Sequence, residues 1–376
     1  MADTLTNLTP DLYEALDTVS RELVGMIPAV TLDASAARAA KGQTIRSAVA
    51  PASAAADIVP AQKAPDTGDQ VIGNKVLSIS KSRGVPIRYN GEEERGLNTG
   101  PGYNNILQNQ FAQAMRTLTN EVEADLAGLY AQASRAYGTA GTTPFGTAGD
   151  FTDASNSLKI LKDNGAPLTS NNLVVSSAAG ASMLGLQSRV DVQGNDSMLR
   201  QGVMLSTAGM DIRESAQINA HTTGTGANYV TNGTFAAGVT EIDIDGGTGT
   251  VVAGDVVTFA GDANKYLVTS ALSGGSITIA APGLQQSLAD GVAMTVGNDF
   301  AANIAFNREA IVLVTRAPAR PLEGDLAEDV MLMTDPRSGI TFEVSMYKEY
   351  RQVHFEVALA WGVSAIKPEH MAVLLG

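Results

Sequence analysis

The chain has 376 residues, room for two or three domains at about 150 residues each. Apolar residues make up 44% and charged residues 17%, enough for packed cores and against wholesale disorder. With 25 Lys and Arg against 39 Asp and Glu the net charge is −14, too acidic to wrap nucleic acid through a general basic surface, and the lack of cysteine excludes disulfides, thiolate metal sites and cysteine nucleophiles.

Residues 9–27 read as an amphipathic helix. Thr9 suits the N-cap and Pro10 the first turn. Leu12, Leu16, Val19 and Leu23 line one face, Asp11, Glu14 and Asp17 the other, and Pro28 ends the pattern. Residues 33–70 are alanine-rich and broken by Pro51, Pro60 and Pro65, which predicts an arm that is extended or only partly helical. Residues 71–102 read as a long β-hairpin: Val76 to Ser80 out, a turn at Arg83-Gly84, and Val85 to Tyr89 back. Lys75, Lys81, Arg83 and Arg88 make its first half basic, and Glu92, Glu93 and Glu94 make its end acidic.

Residues 103–137 carry the strongest helical pattern, with Leu107, Phe111, Met115, Leu118, Val122, Leu126 and Leu129 on one stripe and Gln108, Glu121, Glu123 and Asp125 on the polar face. A single stripe predicts a rod laid across a sheet. Mixed elements follow: a short helix at 153–163, a buried strand at Leu173 to Val175, a small-residue helix through Met183, a short helix at 195–204 and a strand at Met210 to Arg213. Residues 219–303 change character. Short strands (239–244, 255–259, 266–272, 277–280 and 292–296) recur between glycine turns, predicting a small closed all-β module. Seven Asp and Glu residues, Asp255 and Asp262 among them, stand against Lys265 alone, so the module is acidic. From 304 the mixed style resumes, with a buried strand at Ala310 to Thr315 and alternating strands through Ile340 to Met346 and Val353 to Leu359.

Catalytic motifs are missing from this pattern. Gly246-Gly247-Thr248-Gly249-Thr250 lacks the lysine and following helix of a phosphate loop and reads as a turn. His354 falls on the polar side of its strand, and His221 and His370 have no evident partner. Asp243 and Asp245 share a strand face that suits solvent better than a cation. No metal, no cofactor and no enzymatic activity are expected. The first residues lack the basic region and apolar core of a signal peptide, and no apolar run approaches the roughly 20 residues of a membrane span, so a soluble chain made in a reducing compartment is expected. An arm and a long hairpin have no means of satisfying themselves on a monomer, which points to neighbouring subunits.

This order of parts resembles the major capsid (coat) proteins of tailed bacteriophages, in particular the podovirus coat proteins with an inserted β-domain. Val357-Ala358-Leu359-Ala360-Trp361-Gly362-Val363-Ser364-Ala365-Ile366-Lys367-Pro368-Glu369 is similar to that family's C-terminal run. Gly254-Asp255-Val256-Val257-Thr258-Phe259-Ala260-Gly261 is similar to a motif of its inserted domain, and Ala310 to Val314 to the strand that returns from it. The resemblance implies an α+β fold of the tailed-phage and herpesvirus capsid type. Its parts would be an N-terminal helix and arm (1–70), an extended loop (71–102), a spine helix in a peripheral domain (103–138), an axial domain begun at 139–218 and resumed at 304–376, and an inserted β-barrel (219–303) that in the family nucleates folding.

The resemblance further implies hexamers and pentamers of an icosahedral shell, with a triangulation number of seven as the expected size. A scaffolding protein would guide assembly in the bacterial host cytoplasm, a portal protein would occupy one vertex, and double-stranded DNA would be packaged without sequence-specific contact and without a membrane. Lys81, Arg83, Arg88, Glu92, Glu93 and Glu94 would make contacts between subunits. Asp11, Glu14 and Asp17 would receive a basic tail of the scaffold, or simply face solvent. The alternatives are an encapsulin-like cellular compartment and, with less in its favour, a carbohydrate-binding or hydrolytic protein with a β-module.

Overall fold

The computed structural model describes residues 12–16, 25–49, 73–98, 103–147, 150–187, 205–207, 209–335 and 338–376. Thr9, Pro10, Asp11 and Asp17, and the helix expected at 195–204, lie outside them.

Residues 12–16 are helical (α1) and bury Leu12, Ala15 and Leu16. Pro28 sits in a tight 3-10 turn, after which the chain extends as β1 (Thr31–Ala39), turns at Lys41-Gly42 and returns as β2 (Thr44–Val49). β3 (Gly73–Ser78), β4 (Lys81–Asn90), α2 (Gly91–Asn98), α3 (Tyr103–Ala127) and β5 (Arg135–Gly138) follow, then α4 (Thr152–Asp163), β6 (Asn171–Val175), α5 (Ser177–Gln187), β7 (Leu205–Thr207) and β8 (Met210–Glu214). Short strands come next: β9 (Ala220–His221), β10 (Val230–Thr231), β11 (Glu241–Asp245), β12 (Val256–Phe259), β13 (Lys265–Ser273), β14 (Ser276–Ile279) and β15 (Met294–Val296). The last elements are β16 (Phe300–Asn307), β17 (Ile311–Pro318), β18 (Ala327–Thr334), β19 (Thr341–Glu349), β20 (Gln352–Ala365) and β21 (Met371–Leu375).

The 14-residue β20 organises the first sheet. One edge pairs with β4 along its length, and the other pairs first with β19 and then with β17. β18 extends the sheet beyond β19, and β1 lies parallel to β17. α3 crosses this sheet with the expected stripe inward: Leu107, Phe111, Met115, Leu118, Val122 and Leu126 are all buried. Phe111 meets Phe355 edge to face at 5.5 Å between ring centroids. Each such side chain contributes about 1.5–3 kcal/mol of burial, so the helix is held by the sheet rather than by its own propensity.

Two expectations change here. The turn at Arg83-Gly84 is absent, because both residues lie inside the continuous strand β4. Gly84 lies opposite Ala358 of β20 with the Glu356 side chain packed beside it. β3 turns instead to β2, in register from Thr44–Ser78 to Val49–Gly73. The two-stranded ribbon is thus built from the arm and the segment after it, with residues 50–72 between. The long helix also stops early. Its 25 residues make a rod of roughly 37 Å, and at Gly128, a weak helix former, it tightens into a 3-10 turn. Residues 135–138 then gain ladder partners in β21 and β13 that a helix would forfeit.

The second sheet runs β7-β8-β6-β16-β21-β5, with α4 and α5 over a core that includes Leu158, Leu161, Leu173, Val175, Ile212 and Leu374. It continues through β5 into β13. There the short strands close a ring in the order β10-β11-β14-β13-β12-β15, completed by a bridge from Val230 to Ala293. Ile242, Ile244, Val257, Phe259, Val268, Ile277, Ile279 and Met294 fill this barrel. Glu241, Asp243 and Asp245 alternate outward, as period-2 patterning requires.

Candidate assembly interface

The basic residues of β4 are partly spoken for inside the subunit. Lys81 Nζ lies 2.7 Å from Asp125 Oδ1 of α3, and the indole nitrogen of Trp361, the chain's one tryptophan, donates to Asp125 Oδ2 at 2.9 Å. The Lys81 ammonium also sits 5.9 Å above the Trp361 ring. Arg83 pairs with Glu121 at 3.3 Å on the surface, a contact of small energetic weight. Arg88 is exposed on the strand edge. Pro86, with no N–H to offer, helps blunt that edge.

Glu92 and Glu93 open α2. Asn90 Oδ1 accepts from the Glu92 and Glu93 amides at 3.1 and 2.8 Å, and the Asn90 amide donates to Glu93 Oε2 at 3.1 Å. This reciprocal capping box gives Glu93 a local role at the helix terminus. The side chain of Glu94 lies outside the described residues. Glu14 is exposed opposite the buried Leu12 and Leu16, and Asp11 and Asp17, which would complete the acidic face, fall outside the described residues.

One heavily bonded carboxylate is one that the helical pattern puts on a solvated face. Glu123 is 1% exposed. Oε1 accepts from the Met26 and Ile27 amides at 2.9 and 2.7 Å, and Oε2 accepts from Ser215 Oγ at 2.8 Å. It therefore ties the N-terminal segment, α3 and the end of β8 together. Burial pushes its pKa above the usual carboxylate range, against the downward pull of its donors. Its sequence signal is its place beside Val122 at the rim of the apolar stripe.

A second buried network closes the barrel onto the body. His221 Nε2 is 2.8 Å from Asp255 Oδ1, and His221 Nδ1 is 2.7 Å from the Tyr130 hydroxyl. Asp255 is fully buried and also accepts from the Val252 amide at 2.8 Å and the Gly224 amide at 3.1 Å. Both oxygens of the carboxylate are thus engaged within the subunit, and through His221 and Gly224 they join the barrel to the segment that enters it. Burial, and next the Asp255 charge, raise the pKa of Tyr130. So His221 has partners from distant segments, and Asp255 is no member of the barrel's solvated acids. His354 is half-buried, with Glu349 at 3.6 Å and the Tyr347 ring beside it. Burial lowers the pKa of His370.

Among the described residues no three His, Asp or Glu side chains converge to hold a metal, and no helix is long and apolar enough to cross a membrane. The glycine run 246–250 is a turn. Gly246 and Gly249 have φ of 69° and 90°, and the Tyr229 ring packs where a Cβ on Gly247 would stand.

No family model and no curated protein matches the chain. Solved structures do resemble it in layout. A structure from Mycobacterium phage Che8 is 13% identical, covers 89% of this chain and 85% of its own, and has a TM-score of 0.43. The capsid of cyanophage P-SCSP1u gives 10% identity, 92% and 86% coverage and a TM-score of 0.46. A virus-like particle from Pyrococcus furiosus gives 13% identity, 97% and 96% coverage and a TM-score of 0.43.

Proposed function

We propose that this chain is a structural shell subunit, the major capsid protein of a tailed bacteriophage, and not an enzyme. In this reading copies assemble as hexamers and pentamers into an icosahedral shell around double-stranded DNA, guided by a scaffolding protein, with a portal at one vertex, in the cytoplasm of a bacterial host. The observation that carries it is the β2–β3 ribbon: two strands that pair only with each other among the described strands, joined through residues 50–72. A ribbon of this kind is marginal alone and gains from a neighbouring surface. The paired carboxylates support the same reading, since Glu123, Asp125 and Asp255 are consumed in joining segments of the subunit. The sequence likeness at 254–261 and 357–369 names the type of shell.

The contacts between subunits then centre on the ribbon and on the exposed Arg88 and Glu92, while Lys81 and Arg83 serve within the subunit. The barrel at 219–303 would face away from the shell, its acidic strand β11 outward. Asp11, Glu14 and Asp17 would receive a basic scaffold helix. The test is negative-stain electron microscopy of the chain expressed alone and with the neighbouring scaffold reading frame. Uniform closed shells that need the scaffold are the expected result. Closed shells without it would favour a self-sufficient compartment, and soluble monomers in both cases would refute the proposal. Scaffold binding and its salt dependence should weaken in Asp11→Ala with Glu14→Ala.

A further inference from the structure

Three of the most exposed large apolar side chains share one place. Leu322 is 106% exposed, Leu326 90% and Tyr350 91%. The leucines lie on the loop between β17 and β18, and Tyr350 on the turn between β19 and β20. Ala327 pairs with Tyr347, whose hydroxyl donates to Asp325 Oδ2 at 3.1 Å, so both loops stand at the same end of the first sheet.

The leucine loop is clamped. Arg320 donates to the buried Glu343 at 2.9 Å, to Asp325 Oδ1 at 3.1 Å and to the Ser345 hydroxyl. Asp325 Oδ1 also accepts from the Ala327 amide at 3.0 Å, and Arg38 of β1 reaches Glu343 at 2.5 Å. A loop fixed at both ends presents its leucines with little ordering entropy left to lose on binding.

Charge selects the partner. Lys348 pairs with Glu328 at 2.9 Å, and Glu349 faces His354. Beside the apolar side chains this leaves Glu323 on one loop and Arg351 on the other, opposite in sign. Copies of a chain with net charge −14 repel one another over most of their surfaces. Glu323 of one copy and Arg351 of another are complementary across a contact between like copies.

We propose that Leu322 and Leu326 of one copy pack against Tyr350 of a second copy, with Glu323 facing Arg351. Because the leucines and Tyr350 stand at one place, the contact is reciprocal, each copy presenting its leucines to the other's Tyr350. It rests on the reading that the chain associates with its own copies.

The test exploits the absence of cysteine. Leu322→Cys and Tyr350→Cys chains are mixed under mild oxidation, with Leu168→Cys, exposed on a distant loop, replacing one of them as the control. The mixture should form the disulfide-linked pair at least about tenfold faster than the control, because docking raises effective concentration. In parallel, Glu323→Arg should weaken association in sedimentation velocity, and adding Arg351→Glu should restore it. Cross-linking no faster than the control, or no rescue by the charge swap, overturns the contact. Shells that form without the cross-link would sink the contact and leave the capsid reading standing. A fast cross-link without shells would do the reverse.

Discussion

Removing the Glu123 carboxylate should free the N-terminal segment from the body of the subunit. In Glu123→Ala the Met26 and Ile27 amides and the Ser215 hydroxyl lose their acceptor in a site that is 1% open to solvent. Each buried group left unpaired costs about 1–3 kcal/mol, so a loss of roughly 3–5 kcal/mol is expected even where water enters to satisfy one of them. That is a large share of the 5–15 kcal/mol typical of a folded protein. The direct assay is amide hydrogen exchange at 25–29, compared with exchange in the barrel core at 256–259. Exchange should accelerate at the first and stay unchanged at the second. Glu123→Gln keeps one acceptor and should fall between. The raised pKa of Glu123 adds a pH signature. The folded state holds this proton more tightly than the unfolded chain does. The stability it contributes is therefore complete below the unfolded carboxylate value of about 4.3, and it declines as pH rises towards the folded value. Glu123→Gln should abolish that slope in urea unfolding. Unchanged exchange at Met26 and Ile27 in the alanine variant, or an identical pH slope in the glutamine variant, would refute the reasoning.

Two further outcomes follow from the carboxylates of Asp125 and Asp255. Asp125→Ala leaves the Trp361 indole N–H and the Lys81 ammonium without their acceptor; about 1–3 kcal/mol should be lost, and the single-tryptophan emission should shift, which fluorescence-monitored denaturation reads directly. Asp255→Ala should cost about 2–4 kcal/mol through unpaired amides and an unpaired His221. It should raise proteolysis at 221–226 before the hydrophobic barrel interior gives way, and uniform loss of protection across the whole chain would contradict that order.

The elements legible in the sequence are those whose signal is local. The stripe from Leu107 to Leu126 announces a helix on a sheet, and α3 lies so. The short alternating strands between glycine turns at 239–296 announce a closed β-module, and its ring closes through Val230 and Ala293. What escaped is pairing over distance. Nothing local in Gly73 to Ser78 says that its partner is Thr44 to Val49 instead of the strand that follows it. Arg83-Gly84 has turn chemistry, yet both residues pair with Leu359 and Ala358, far along the chain. Glu123 and Asp255 look like solvated acids because their partners come from Met26, Ile27, His221 and Gly224, segments that periodicity cannot bring together. The candidate contacts on β4 divide in the same way: Lys81 and Arg83 found acceptors on α3 that charge counting alone could not assign.

The position of β21 sets an order of events during synthesis. Residues 371–375 insert between β16 and β5, whose residues leave the ribosome much earlier. Until that strand arrives, the second sheet has a gap at its middle, with two facing rows of unsatisfied backbone groups. The barrel has no such wait, since its ring is assembled wholly from residues between 230 and 296. It can close while the rest of the subunit is unfinished, and the sheet joined to it through β13 and β5 then completes against a partner already in place.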